Sequence, residues 1–440
     1  MVMRRMGQRI WKNPLIFVLI VAMLTGWTGC GDTVHSYDGA HLDTEKDDHG
    51  MAEQDSQKER ASEQADLAEV GSSGYVESDL CGRPADGVSE ADVWASQILE
   101  QMTLGEKICQ MFLVTPETLT GFQTVTAAGN ITLGALEQYP VGGLIYFSIN
   151  LVDDEQTNTM LKNTTVYARE NHDIPIFLAV DEEGGRVARI GSNPKFSVEK
   201  VPCMKEIGDS GDLSKAYDVG DTIGAYLSEL GFNLDFAPDA DVLTNPSNTV
   251  IGDRSFGTDA VCVSNMMLEV ADGLLDNGVI PCVKHFPGHG STAGDTHQGL
   301  AYTDKTLEEL MSCELVPFQT AVDNGLPMIM VSHISVPSVT GDDTPASLSH
   351  FLVTELLREQ MGFDGIVITD GMGMGAIEDN YESGEAAVLA VQAGCDMLLI
   401  TADFPEVYQA VLDAVEDGRI SEQQIDASVK RILRMKYSLR

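Results

Sequence analysis

A Gly-rich segment of the sequence ends in a carboxylate and an imidazole that lie two positions apart. It runs from Lys284 to His297, reads KHFPGHGSTAGDTH, and closes on Asp295 and His297. An aspartate beside a histidine fixes the tautomer of the imidazole and raises its pKa, which suits a group that donates a proton and takes one back near neutral pH. The glycines predict a mobile loop, so we interpret this segment as one that delivers a general acid/base.

The same loop has a second interpretation as a metal site. The residues that would then act as ligands are His285, His289, Asp295 and His297. A Gly-rich spacer supplies no rigid scaffold for a coordination sphere, so we favour the acid/base interpretation. We expect neither a metal nor an organic cofactor.

A second segment places one carboxylate after a buried apolar strand. It runs from Phe363 to Ala376, reads FDGIVITDGMGMGA, and carries Asp370 where the apolar run ends. The glycines that follow allow a ligand to approach the backbone closely, so Asp370 is a candidate nucleophile. An aspartate that caps the next helix is the structural alternative, and this segment alone does not separate the two.

The elements that position these groups alternate short apolar runs with amphipathic segments at helical spacing, which is typical of repeated βα units. Eight runs are predicted as strands: Gln110–Val114, Gly143–Phe147, Ile176–Val180, Phe232–Phe236, Ile280–Val283, Met328–Val331, Gly365–Thr369 and Met397–Ile400. No Gly-x-Gly-x-x-Gly motif follows the first run. The pattern therefore favours a (β/α)8 TIM barrel over an open doubly wound sheet.

Polar residues follow five of the predicted strands. They are Asp181 after the third, Asp235 at the end of the fourth and Asp239 after it, Lys284 and His285 after the fifth, His333 after the sixth and Asp370 after the seventh. Each residue has a structural explanation by itself. However, the loops after barrel strands converge on one face, so polar residues at the ends of five strands together indicate a site. Acids, imidazoles and a lysine without a phosphate-binding glycine loop indicate a neutral polyol substrate.

The composition excludes some classes of protein. With 43% hydrophobic residues the chain has enough apolar material for a substantial core, so it is neither wholly disordered nor collagen-like. Lys and Arg number 27 against 68 Asp and Glu, which gives a net charge of −41. A partner held by phosphate contacts would meet a repulsive field, so nucleic acid is not expected as a partner.

The first 30 residues predict an export signal. Four basic residues precede an apolar run at 14–24, which is too short to span a membrane comfortably. The stretch from Leu24 to Cys30 resembles a bacterial lipobox, so we expect Cys30 to become a lipidated N-terminus that anchors an extracytoplasmic protein. An ordinary cleaved signal and a retained transmembrane anchor are the alternatives.

The remaining chain is predicted to consist of a linker and one catalytic domain. Residues 31–88 are rich in Asp, Glu, Ser and Gln, which is typical of a disordered acidic linker. The domain is expected at 89–440. The seven cysteines after Cys30 form no Cys-x-x-Cys pair, so neither a zinc site nor a disulfide framework is indicated, and several lie in apolar runs as expected for buried thiols.

The two segments with candidate catalytic residues, together with Ala179–Arg189 (AVDEEGGRVAR) and Ile251–Gly257 (IGDRSFG), resemble glycoside hydrolase family 3. Within that family they look like the bacterial β-N-acetylhexosaminidases of peptidoglycan turnover. The resemblance covers nearly all of the predicted domain. It implies a retaining mechanism with a covalent glycosyl-enzyme, in which Asp370 is the nucleophile and His297, partnered by Asp295, is the acid/base.

The resemblance also implies a set of residues that bind the terminal N-acetylglucosamine: Asp181, Arg189, Arg254, Lys284 and His285. We expect Arg186 to pair with a nearby acid, His333 to pack under the site and His289 to shape the loop. After the nucleophile this chain has Gly-Met-Gly, where relatives often carry a bulkier residue and Leu. That departure affects the stiffness of the loop and leaves Asp370 in place.

The function that the resemblance implies is an exo-β-N-acetylglucosaminidase that acts on muropeptide fragments such as GlcNAc-MurNAc. We expect a monomer. The Asp295–His297 pair makes a family 3 β-glucosidase the weaker alternative. A histidine that is neutral when it activates water places less negative charge near an incoming nucleophile, so phosphate is also tolerated as acceptor. A GlcNAc phosphorylase is therefore a second alternative. A non-catalytic sugar-binding surface lipoprotein would not need the intact set of Asp370, Asp295 and His297.

Overall fold

The computed structural model of the protein describes residues 89–292, 294–296, 299, 301–400 and 402–440. At its centre is a closed barrel of parallel strands. The strands are β1 (Phe112–Val114), β2 (Gly143–Ile145), β3 (Phe177–Val180), β4 (Leu234–Asp235), β5 (Ile280–Phe286), β6 (Met328–Val331), β7 (Ile366–Gly371) and β8 (Met397–Ile400). Each pairs in parallel with the next along the chain, and β8 pairs with β1. The predicted (β/α)8 barrel is confirmed.

Helices surround the barrel. They are α1 (Glu90–Leu99), α2 (Leu104–Gln110), α3 (Pro116–Thr120), α4 (Asn130–Gln138), α5 (Asp154–His172), α6 (Met204–Ser210), α7 (Leu213–Leu230), α8 (Ala260–Asp276), α9 (Leu307–Ser312), α10 (Val316–Asp323), α11 (Pro337–Thr340), α12 (Gly375–Glu378), α13 (Ser383–Ala393), α14 (Phe404–Glu416) and α15 (Glu422–Tyr437), with a π-helix at Phe351–Gln360 and 3₁₀ turns at Gly252–Arg254, His289–Ser291 and Ala346–Leu348. Two short strand pairs lie in the loops at the C-terminal end of the barrel. They join Glu182–Gly184 to Val187–Ala188 and Ala301–Tyr302 to Ile334–Ser335.

The strands are apolar on both faces because each is covered by the barrel interior on one side and by helices on the other. All residues of β1, β6 and β8 are buried. Helices on the outside of the barrel bury the stripe that faces the strands. In α15 this stripe consists of Ile425, Val429, Ile432 and Leu433, at the i, i+4, i+7, i+8 spacing of an amphipathic helix.

The N-terminal end of the barrel is closed by a buried lysine. Lys436 donates from Nζ to Oε1 of Gln110 at 2.7 Å and lies 5.1 Å from the centre of the Phe177 ring. Burial holds the pKa of Lys436 well below its ordinary value. Gln110 precedes β1 and Phe177 begins β3, so this end of the barrel serves stability and leaves the opposite end for chemistry.

Several predictions lie outside the described residues. They are the export signal at 1–30 with Cys30, the acidic linker at 31–88 and the acid/base His297. None of the helices in the described part of the chain is both long and apolar enough to cross a membrane. The six described cysteines are free thiols, and Cys109, Cys282 and Cys395 are buried, which confirms the expectation of buried thiols.

Candidate active site

Asp181 lies directly after β3 and accepts from two cationic side chains. Lys284 donates from Nζ to one carboxylate oxygen at 3.1 Å, and Arg189 donates from Nη2 to the other at 3.3 Å. Asp181 is partly exposed at the mouth of the barrel. Nε of Arg189 is buried and has no hydrogen-bond partner among the described residues.

The hairpin that returns Arg189 to the mouth is held by Glu182. This fully buried carboxylate accepts from the backbone N–H groups of Ile190 at 2.9 Å and Gly191 at 2.7 Å, and from the Tyr226 hydroxyl at 2.8 Å. The turn of the hairpin contains Gly184 at φ +90°, where a Cβ would lie 2.7 Å from a methyl group of Val201. The tight turn therefore requires glycine, and Glu182 has a structural role.

Glu183 is the centre of a buried ion-pair cluster. Its carboxylate accepts from Nε and Nη2 of Arg254, both at 2.8 Å, and contacts Nζ of Lys284 at 2.6 Å. Burial alone raises the pKa of Glu183, but the charges of Arg254 and Lys284 outweigh it and hold that pKa below its ordinary range. The same contacts hold the pKa of Lys284 above its ordinary value despite burial. We call these three residues the Glu183 cluster.

His285 is fixed in one tautomer by its two neighbours. Arg254 can only donate, so Nε2 of His285 accepts from Nη2 of Arg254 at 3.1 Å. Nδ1 then carries the hydrogen and donates to Oδ2 of Asp241 at 2.7 Å. Burial, reinforced by the nearby charge of Arg254, lowers the pKa of His285 to about 4. The imidazole is therefore neutral at physiological pH.

Lys284 and His285 both reach the mouth because β5 is irregular. Its register with β6 shifts between Val283 and Phe286, which interrupts the alternation of side chains between the two faces of a strand. The predicted strand ended at Val283, whereas β5 continues to Phe286. The extension was not predictable from polarity, because buried charges are tolerated in a strand only when distant partners neutralise them.

Three buried groups lie close enough to one another to hold a metal ion. The donor atoms of Asp239, Asp241 and His285 all lie within 4.8 Å of one another. However, Nη2 of Arg254 lies 3.1 Å from Nε2 of His285 and 3.6 Å from Oδ2 of Asp239. A positive charge already lies beside two of the three groups, and this arrangement fits an ion-pair network better than a coordination sphere.

Asp370 is the second-to-last residue of β7 and is partly exposed at the same mouth. Burial raises its pKa, but His333, His285, the backbone N–H of Gly371 at 2.7 Å and Lys284 together hold the pKa below its ordinary value. The carboxylate is therefore ionised over the whole neutral range. A partly exposed, ionised aspartate among cationic groups has the charge state that a carboxylate nucleophile needs.

His333 supports the backbone next to Asp370. It is fully buried, and its Nε2 donates to the carbonyl oxygen of Gly371 at 3.0 Å, while Nδ1 lies 2.8 Å from the hydroxyl oxygen of Ser347. This agrees with the expectation that His333 packs under the site. Arg186, also as expected, pairs with an acid, since its Nε lies 2.7 Å from Oδ1 of Asp253.

The loop after β5 is tied to two parts of the site. The amide of His289 donates to Oδ1 of Asp241 at 2.5 Å. Further along the loop, Thr296 is buried and its carbonyl oxygen accepts from the backbone N–H of Ala376 at 3.0 Å. Asp295 is partly exposed, whereas the position of His297 lies outside the described residues.

Six of the seven described candidates share hydrogen bonds, ion pairs or electrostatic interactions at one barrel mouth. They are Asp181, Arg189, Arg254, Lys284, His285 and Asp370, and the seventh, Asp295, lies in the loop after β5. Sequence reasoning missed Glu183 and Asp241. Their signals are a run of three acids, Asp-Glu-Glu, directly after an apolar strand, and an Asp-Ala-Asp pair after β4. An acid in such a position is expected to have a cationic or N–H partner.

Comparison with known proteins agrees with this geometry. Residues 103–435 match the family model described as the glycosyl hydrolase family 3 N-terminal domain. The chain is 39% identical over 271 residues to Beta-hexosaminidase LpqI of Mycobacterium tuberculosis, which covers 60% of this chain and 68% of that relative. It is 32% identical over 326 residues to Beta-hexosaminidase A of Pseudoalteromonas piscicida, which covers 69% of this chain and about half, 54%, of that relative.

A solved structure shows the same relationship. The glycoside hydrolase family 3 β-N-acetylglucosaminidase from Paenibacillus sp. FPU-7 superposes with a TM-score of 0.72 at 37% identity, over 77% of this chain and 62% of that one. The match to the family model extends over most of the chain and includes the strands that carry the Glu183 cluster and Asp370. The chain therefore belongs to glycosyl hydrolase family 3 and is a glycoside hydrolase.

Proposed function

We propose that this protein is a retaining exo-β-N-acetylglucosaminidase that removes terminal non-reducing GlcNAc from cell-wall muropeptides. The observation that carries the proposal is the combination, at one barrel mouth, of an ionised Asp370 with the Glu183 cluster, Asp181 and a neutral His285. The names of the relatives, two β-hexosaminidases and one β-N-acetylglucosaminidase, support the same activity.

The polar residues suit recognition of a sugar ring. Hydroxyl groups bind best to short, charge-assisted partners, and Asp181, Arg189, Lys284 and Arg254 supply both acceptors and donors. Their mutual ion pairs hold the side chains in place before the substrate arrives. We assign these four residues and His285 to the terminal N-acetylglucosamine.

The proposed reaction proceeds in two steps. Asp370 attacks the anomeric carbon while His297 donates a proton to the glycosidic oxygen, which leaves a covalent glycosyl-enzyme. Water then attacks the anomeric carbon, His297 takes its proton, and Asp370 is released as a carboxylate. Asp295 partners His297 and favours the imidazolium in the first step. The low pKa of Asp370 supports its role, because only the ionised carboxylate can attack.

We further propose that the catalytic domain, residues 89–440, is tethered outside the cell. The support is the export signal at 1–30, the lipobox-like stretch ending at Cys30 and the acidic composition of 31–88. A tethered enzyme meets muropeptide fragments at the cell surface. Labelling with a radioactive fatty acid would detect the lipid on Cys30. A protein that takes up no label would indicate an ordinary cleaved signal without a lipid anchor.

The activity is tested with p-nitrophenyl β-N-acetylglucosaminide and the matching β-glucoside, by following released nitrophenol with the full chain. We expect turnover of the N-acetyl substrate only. Preference for the glucoside would move the protein to the β-glucosidases, and binding of GlcNAc without turnover would indicate a sugar-binding protein. In phosphate buffer we expect free GlcNAc, whereas a sugar 1-phosphate would identify a phosphorylase.

A further inference from the structure

Thr296 makes two contacts to other segments of the chain. Its carbonyl oxygen accepts from the N–H of Ala376 at 3.0 Å, and its hydroxyl oxygen lies 3.4 Å from Nε2 of His289. Its exposed fraction is 1%, whereas Asp295 is partly exposed. The residue between the two members of the proposed catalytic pair is thus buried against other elements.

The partners of His289 determine the direction of the hydrogen bond from Thr296. The hydroxyl of Thr292 donates to the carbonyl oxygen of His289 at 2.9 Å, so the same oxygen accepts from Nδ1 of His289 at 2.8 Å. Burial holds the pKa of His289 below its ordinary value, which leaves the imidazole neutral. Nε2 is therefore an acceptor, and the Thr296 hydroxyl donates to it.

Both contacts lead to groups at the reacting centre. Ala376 lies in α12, six positions after Asp370, and a short Gly-rich turn separates the two. His289 is held through its amide by Asp241, which also orients His285. Thr296 is thus connected on one side to the segment of the nucleophile and on the other to the residues assigned to the sugar.

We propose that Thr296 is a positioning residue that fixes the segment bearing Asp295 and His297 against the segment of the nucleophile. The inference rests on the proposed function, in which His297 is the acid/base. Proton transfer needs the donor within hydrogen-bond reach of the glycosidic oxygen, so a small displacement of the loop slows this step. Thr296 itself does not touch the substrate.

The test compares two substrates of the full chain that differ in their need for an acid. Phenolate is a poor leaving group and needs protonation, whereas 2,4-dinitrophenolate departs almost without it. Values of kcat/KM for the phenyl and 2,4-dinitrophenyl β-N-acetylglucosaminides report the first bond cleavage. Thr296→Val keeps the shape and removes the hydroxyl, Thr296→Ser keeps the hydroxyl, and the control Thr124→Val makes the same change at an exposed position.

We expect Thr296→Val to lower kcat/KM for the phenyl substrate roughly 10-fold and for the dinitrophenyl substrate by less than about 2-fold. Thr296→Ser and Thr124→Val should match the wild type. An equal loss on both substrates, or a Ser variant as impaired as the Val variant, would overturn the positioning role and leave Thr296 as packing. Thermal unfolding of each variant shows whether it is folded, and the Ser variant tests the role even if the Val variant does not fold.

Two further results separate this inference from the proposed function. A wild type inactive on both substrates would refute the function itself. His297→Ala should show the same dependence on the leaving group, only larger, and if it does not, the acid/base assignment is wrong and the positioning role fails with it. If His297→Ala shows the dependence and Thr296→Val does not, the positioning role alone is refuted.

Discussion

Glu183→Gln removes the negative charge that Arg254 and Lys284 share. Glu183 has an exposed fraction of 3% and Lys284 of 2%. Water therefore cannot solvate the Lys284 ammonium group in place of the lost carboxylate. A glutamine keeps one acceptor oxygen but turns an NH₂ group toward one of the two cations. We expect both cations to lose alignment, because each then keeps only its more distant carboxylate, Asp181 at 3.1 Å for Lys284 and Asp239 at 3.6 Å for Arg254.

The expected loss of unfolding free energy follows from the burial of this ion pair. Removing one partner of a buried ion pair costs about 3–5 kcal/mol, and the residual partners place this variant near the lower end, about 3 kcal/mol of unfolding free energy. Misalignment of the sugar-binding cations by about 1 Å lowers kcat/KM roughly 100-fold. Most of that loss should be an increase in KM, since Glu183 positions residues assigned to binding.

The assay is urea denaturation combined with steady-state kinetics on p-nitrophenyl β-N-acetylglucosaminide. Asp253→Asn is the matched control, because it removes the acid from the exposed Arg186–Asp253 pair. An exposed ion pair contributes about 0–1 kcal/mol, and the control should keep full activity. If Glu183→Gln loses no more stability than Asp253→Asn and keeps its KM, the buried cluster does not organise the site.

Three further predictions concern other groups of the site. Asp370→Ala should abolish turnover with little loss of stability, and measurable hydrolysis by a folded variant would exclude Asp370 as nucleophile. His297→Ala should slow both steps by roughly 100-fold or more, and full activity on a substrate with a poor leaving group would show that the acid/base is another residue. Burial raises the pKa of Asp239 to about 7, so its contribution to stability is present below its unfolded pKa of about 4 and is lost as pH rises through 7. Asp239→Asn should therefore gain stability relative to the wild type between pH 4 and 7, by up to roughly 1 kcal/mol per pH unit in urea denaturation, and a constant difference would contradict this.

The fold was predictable because its strands are apolar on both faces. Runs such as Met328–Val331 and Met397–Ile400 have the same bounds in the sequence prediction and in the structure. Strand ends were less predictable where charge enters. β5 continues through Lys284 and His285 because Glu183 and Asp241, 101 and 44 positions away, neutralise or accept from them. Such pairs follow from the fold and not from local pattern.

The candidate site shows the same limit. Side chains that would contact the substrate, such as Asp181 and Asp370, follow strands directly and were found from their position. Residues that orient them, such as Glu183 and Asp241, were not found, because their role depends on partners brought together by the barrel. Position after a strand thus predicts which residues face the mouth. Which of these residues form hydrogen bonds with one another is seen only in the structure.

In the proposed mechanism the reaction passes through a glycosyl ester on Asp370. A slow fluorinated β-N-acetylglucosaminyl substrate allows the intermediate to accumulate, and mass spectrometry of the intact protein followed by peptide mapping locates the attached sugar. We predict one sugar per chain, on the peptide that contains Asp370, with loss of activity in proportion and no adduct in Asp370→Ala. An adduct on another carboxylate, or continued turnover without any adduct under conditions that inactivate other retaining glycosidases, would exclude Asp370 as the nucleophile.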